Sequence, residues 1–105
     1  MPFDPNADNL ISLETAAQLT AEYRTKFPDD TLAHAFTKVQ MQNLLKQANC
    51  DGFRIYYGLD GSGNKELVIV AVDRYGNDLY EGMLLDNSQP CPAICSTANP
   101  LNTTT

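Results

Sequence analysis

The chain has 105 residues, enough for one core but little for a deep cleft, and 43% of them are hydrophobic. Thirteen acidic residues against seven basic ones leave a net charge of −6, with no run of Lys or Arg anywhere. Phosphate neutralisation needs clustered basic charge, so nucleic acid and anionic membranes are excluded as expected partners.

Residues 1–11 are rich in Pro, Asn and Asp and read as an arm. Met1-Pro-Phe-Asp-Pro has neither the basic nor the apolar region of a secretory leader, and the longest apolar run, Leu67–Val72, is far short of a membrane span. A cytoplasmic location is therefore expected, and with it free thiols at Cys50, Cys91 and Cys95.

Ser12 is placed to cap a first helix, with Glu14 in the first turn favourable to the helix dipole. Leu13, Ala16, Ala17, Thr20, Tyr23 and Phe27 recur at helical spacing, which predicts a helix over 13–27 that Pro28 stops. Thr37 and Gln40 have capping-box spacing, and Phe36 and Met41 that of a hydrophobic staple. Met41, Leu44, Leu45 and Ala48 then make one stripe of a helix over 38–48. Asn49 and Gly52 are available for left-handed backbone angles at its end.

At Gly52 the hydrophobic period changes from helical to two, which predicts strands over 53–59, 66–73 and 79–85. Asp60-Gly-Ser-Gly-Asn64 is a loop by composition, and Gly76-Asn77 the centre of a tight turn. A five-residue first loop sets Tyr57 opposite Leu67, Ile55 opposite Ile69 and Phe53 opposite Ala71. Tyr80, Gly82 and Leu84 are expected to join that face, under the helices. The expected fold class is α+β: two N-terminal helices packed on a three-stranded antiparallel meander sheet, with an irregular C-terminal tail. The expected domain is single, 1–105, made of an arm (1–11), a body (12–85) and a tail (86–105).

The other face of the sheet carries Arg54, Tyr56, Val68, Val70, Val72, Glu81, Met83 and Leu85, too apolar to stand open to water. Residues 86–101 folding back, or a second copy of the chain, are the expected covers. Arg54 and Tyr56 are residue types common at interface centres, so Arg54, Tyr56, Val68, Val70 and Met83 are the candidate binding surface.

Cys91-Pro-Ala-Ile-Cys95 has three intervening residues, unlike a thioredoxin-type motif, and no helix follows to lower a thiolate pKa. His34 and Cys50 stand at opposite ends of the second helix, so at most Cys50, Cys91 and Cys95 are candidates for one redox or metal site. Tetrahedral zinc needs four ligands, and no metal or other cofactor is expected. Lys65 and Ala71 stand where a calcium loop beginning at Asp60 needs Gly and Glu. No nucleophile has an identifiable base, so no catalytic residue is singled out and an enzyme is not expected.

The segments Gly52-Phe-Arg-Ile-Tyr-Tyr-Gly-Leu-Asp-Gly61 and Leu67-Val-Ile-Val-Ala-Val-Asp73, with the ending Pro90-Cys-Pro-Ala-Ile-Cys-Ser96 and Asn99-Pro-Leu-Asn102, resemble an uncharacterised family of bacterial proteins of about this length that end in a Cys-Pro-x-x-Cys segment. The resemblance implies that the tail is an integral part of the domain, and it implies no activity, cofactor or site residue. The expected function is that of a non-enzymatic cytoplasmic protein-interaction module, binding an unknown protein or a second copy of itself. The rival expectation is a thiol-based redox or metal-responsive protein using Cys91 and Cys95.

Overall fold

The computed structural model describes residues 2–103; Thr104 and Thr105, the end of the expected tail, lie outside the described residues. The protein is α+β, in the order α1 (Leu13–Lys26), β1 (Ala33–Ala35), α2 (Lys38–Leu45), β2 (Gly52–Leu59), β3 (Lys65–Val72), β4 (Leu84–Leu85) and β5 (Gln89–Cys91). Strands β2, β3 and β4 form a three-stranded antiparallel sheet in that order, and β1 pairs with β5 in a separate two-stranded one. The chain divides into two compact units, Met1–Ala7 with Phe36–Ser88 and Asp8–Ala35 with Gln89–Thr105. Helix α1 therefore groups with the tail, and α2 with the three-stranded sheet.

In the first unit, Thr37 is the N-cap of α2, but its side chain makes no capping hydrogen bond, so the expected capping box does not form. The first turn is closed by the Met41 N–H, which donates to the Thr37 carbonyl at 3.1 Å. Phe36 and Met41 nevertheless pack on one cluster, as a staple requires. That cluster is Leu44 with Ile69, Ala71 and Leu85, and Leu44 is the buried residue of α2. The helix ends at Leu45, short of residue 48, and Asn49 takes a left-handed φ of 68°. Beyond it, Gln47 ties helix to sheet: its Nε2 donates to the Leu44 carbonyl at 3.0 Å, and its Oε1 accepts from the Met83 N–H at 2.8 Å.

The β2–β3 register is the expected one, with Tyr57 opposite Leu67, Ile55 opposite Ile69 and Phe53 opposite Ala71. The loop between these strands is built on Asp60, whose Oδ1 accepts from the N–H groups of Ser62 (2.8 Å) and Asn64 (2.9 Å). Gly63 closes it at φ +84°. The next turn repeats the design as Asp73-Arg-Tyr-Gly-Asn77. Asp73 Oδ1 accepts from Tyr75 (2.9 Å) and Asn77 (3.0 Å), with Gly76 at φ +83°. The expected turn centred on Gly76-Asn77 is thus a longer loop led by Asp73. Glycine takes these left-handed angles without the Cβ clash that other residues suffer.

The third strand departs from expectation. Only Leu84–Leu85 is strand, preceded by an isolated bridge between Val72 and Asp78. Residues between them turn instead, the Gly82 N–H donating to the Leu79 carbonyl at 3.0 Å. The turn shifts the strand, so that Leu85 pairs with Ile69 and faces the core while Leu84 pairs with Val70. The opposite face is also partly covered from within this unit, by Phe3 of the arm. A Cβ placed on Gly52 would lie 3.2 Å from the Phe3 ring, and one on Gly76 would lie 2.5 Å from the Phe3 Cβ.

In the second unit, Ser12 caps α1 as expected, its Oγ accepting from the Thr15 N–H at 3.1 Å. The Tyr23 and Phe27 rings lie 5.1 Å apart at the other end. Strands β1 and β5, which the sequence pattern did not reveal, pair Ala33 with Cys91 and Ala35 with Gln89.

The two loop glycines give a direct test of the Phe3 position. Gly63→Ala places a Cβ in open space and is expected to cost about 1–2 kcal/mol from backbone strain alone. Gly76→Ala carries the same strain and also a collision with Phe3, so its urea midpoint should fall further. Equal losses for the two variants would mean that Phe3 does not rest on Gly76.

Candidate functional site

The first candidate site grows out of how little of the sheet α2 covers. Leu44 meets Ile69 and Ala71 of β3 and Leu85 of β4, while β2 lies at the edge of the sheet. Paired residues of an antiparallel ladder share a face, so Phe53, Ile55 and Tyr57 stand on the same face as this core, outside its buried cluster. Phe53 and Ile55 are each 44% exposed, Leu59 72% and Tyr57 94%. The strand has one charged residue, Arg54, and no proline.

On the reverse face, Arg54 and Tyr56 are brought together by a residue that sequence reasoning missed. Arg54 Nη1 and the Tyr56 hydroxyl both donate to the Asp78 carboxylate, one to each oxygen. Arg54 Nη1 also donates to the Gly76 carbonyl at 3.0 Å. The Asp73-led loop and the Val72–Asp78 bridge deliver Asp78 to this place. An acid in the turn that follows the partner strand was the available signal. The hydrogen bond to Asp78 raises the Tyr56 hydroxyl above the ordinary tyrosine range, and the same partner raises Arg54. The cluster is a fixed, charge-compensated patch rather than a free guanidinium.

The other residues of the expected binding surface do not join it. Val70 is 3% exposed and Val72 1%, so Val70 belongs to the buried surface and is no contact residue. Val68 is half-buried. Met83 packs against the Leu44 cluster on the core side, because the turn before β4 reverses its direction. Of the expected surface, Arg54 and Tyr56 of β2 are the residues that stay together.

The cysteines also differ from expectation. Cys91 and Cys95 are joined in a disulfide, with Cα atoms 4.8 Å apart, where free thiols were expected. The chain turns back on itself after β5, the Ile94 N–H donating to the Pro90 carbonyl at 2.9 Å, and this brings the two side chains together. Cys91 is buried and Cys95 exposed. Cys50 is a free thiol whose Sγ donates to the Gly52 carbonyl at 3.2 Å. Among the described residues no three His, Cys, Asp or Glu side chains are grouped to hold a metal ion.

A cavity of about 460 Å³ opens in the second unit, between Ala17, Ala21 and Arg24 of α1 and Ala98, Asn99 and Pro100. Arg24 Nη1 donates to the Leu101 carbonyl at 2.7 Å, and Nη2 is buried without a hydrogen-bond partner among the described residues. The Asn99 side chain is already committed to Ser96, Thr97 and Leu101.

Compared with known proteins, the chain matches no family model, no curated protein and no solved structure. Among the described residues no helix is long and apolar enough to cross a membrane.

The Tyr56–Asp78 contact has a pH signature. A tyrosine whose folded pKa is raised contributes stability that is fully present below the unfolded value near ~10 and lost as the pH climbs through the folded value. In an NMR titration, Asp78→Ala should bring the Tyr56 ionisation down. A Tyr56 titration unmoved by Asp78→Ala would remove the hydrogen bond from the site.

Proposed function

We propose that the protein is a non-enzymatic protein-interaction module and that β2 is its contact element. The observation that carries this reading is an edge strand of eight residues, Gly52–Leu59, with an apolar stripe on one face and the Arg54–Tyr56–Asp78 cluster on the other. An edge strand offers a row of unpaired backbone donors and acceptors, and proteins that do not use such an edge blunt it with Lys, Pro or a bulge. In β2 the one charge is engaged by Asp78, and the β2–β3 ladder runs without interruption from Gly52 to Leu59. Tyr56 and Tyr57 project to opposite faces and would grip a bound strand from both sides.

The test is selection of extended peptides from a displayed library, followed by titration into isotope-labelled protein. Shift changes should concentrate in Gly52–Leu59 and vanish in Tyr57→Lys. Binders that map elsewhere, or a selection that returns none, would remove this reading.

The disulfide favours a second reading, a thiol-based redox element in the expected cytoplasmic setting, where thiol pools keep most cysteines reduced. An incoming thiolate would attack the exposed Cys95 Sγ and form a mixed disulfide, with Cys91 leaving as the thiolate. A second thiolate of the reductant would then release Cys95 and carry away the disulfide. Equilibration in glutathione buffers should give a midpoint of roughly −200 to −300 mV if the bond is regulatory. A midpoint well below that range would make it a structural cross-link.

A further inference from the structure

The identity of β2's occupant can be taken a step further, resting on the reading of β2 as the contact element. We propose that the partner strand is β2 of a second copy, paired antiparallel about a two-fold axis through Ile55, so that two three-stranded sheets join into one. A two-fold axis perpendicular to the sheet keeps the core face of both copies on the same side, so residues meet only their own face across the seam. With Ile55 on the axis, Phe53 meets Tyr57 of the second copy, Arg54 meets Tyr56, and Gly52 meets Gly58. The seam therefore holds two aromatic pairs, a favourable cross-strand combination, while the Arg54 and Tyr56 heads stay on Asp78 of their own copy. An axis through Arg54 would instead set like charges against each other.

Charge permits the arrangement locally although the chain as a whole is acidic. Arg54 is the one charged residue of β2, and its partner Asp78 belongs to the same copy. The strand thus meets its copy as a nearly neutral surface. The apolar stripe is exposed where it would adjoin its counterpart, Tyr57 most of all at 94%.

The size of the seam sets the strength expected. Eight residues a side is well below the roughly 20–30 residues a side of a standard stable interface, so the dimer belongs to the weak, reversible class. Self-association should therefore appear between about 10 µM and 1 mM rather than at nanomolar concentration.

Sedimentation of the intact chain over that range, with amide shifts followed in parallel, tests the proposal. The expected result is a concentration-dependent rise toward twice the monomer mass, with β2 amides shifting and gaining protection from exchange. Ile55→Lys should abolish the dimer by placing two charges on the axis. Because Ile55 also faces Ile69, Tyr57→Lys provides a second variant at a side chain that lies almost wholly in solvent. It should weaken association at least tenfold while leaving the thermal midpoint unchanged. A chain that stays monomeric at 1 mM, or a dimer whose shift changes fall outside β2, overturns self-pairing. Peptides that still bind β2 in a monomeric chain would leave the module reading standing, so the two failures are distinguishable.

Discussion

The contact between Leu44 and the Ile69–Ala71–Leu85 patch is the constraint on which the sheet-bearing unit depends. Helix α2 is eight residues long, and its one buried residue, Leu44, anchors it with support from the partly buried Met41. Truncating a fully buried leucine typically costs about 2–5 kcal/mol, a large share of the 5–15 kcal/mol that holds a small domain together. The buried cluster around this helix takes residues from β3 and β4, and the core-face side chains of β2 stay partly exposed.

The two Asp-led loops convert that core into a site. In each, an aspartate gathers two backbone N–H groups and a glycine takes the left-handed angle, which fixes both length and register of the connection. Register matters because a slip of one residue exchanges the faces of a strand. Here it sets Arg54 and Tyr56 on the face where the second loop delivers Asp78. It also places Gly52 and Gly76 under Phe3, so that the arm is held by the absence of two side chains. Local turn chemistry therefore decides which polar groups meet.

The second unit is held by different means. Its sheet has two strands of three residues each, and isolated two-stranded sheets of this kind are marginal in water. α1 has no buried residue. Order comes instead from the Cys91–Cys95 bond, the Arg24–Leu101 hydrogen bond and the mutual hydrogen bonds of Asn99 and Asn102. Such a unit relies on cross-links and polar contacts more than on a core, and a change at the disulfide would be felt there first.

Much was legible from the chain alone, for a definable reason. The Ser12 cap, the change of period at Gly52, the Asp60–Asn64 loop and the β2–β3 pairing are all written in residues close to one another. Local spacing and turn chemistry carry that information. The same local signals misled where distant groups intervened. A strand pattern over 79–85 is broken by a turn held in part by Gln47, which moves Leu85 and Met83 to the core side. Thr37 has the spacing of a capping box, yet its side chain makes no such bond. Val70 left the candidate surface because the fold buries it, and Asp78 entered because a loop carries it back to Arg54 and Tyr56. Phe3, the pairing of β1 with β5 and the disulfide depend on segments far apart in sequence or on a reversal of the chain. By itself the sequence determined where the two helices and the β2–β3 hairpin lie and how those two strands align. Only tertiary packing decided which faces are covered, because cover is supplied by side chains that no local pattern can place.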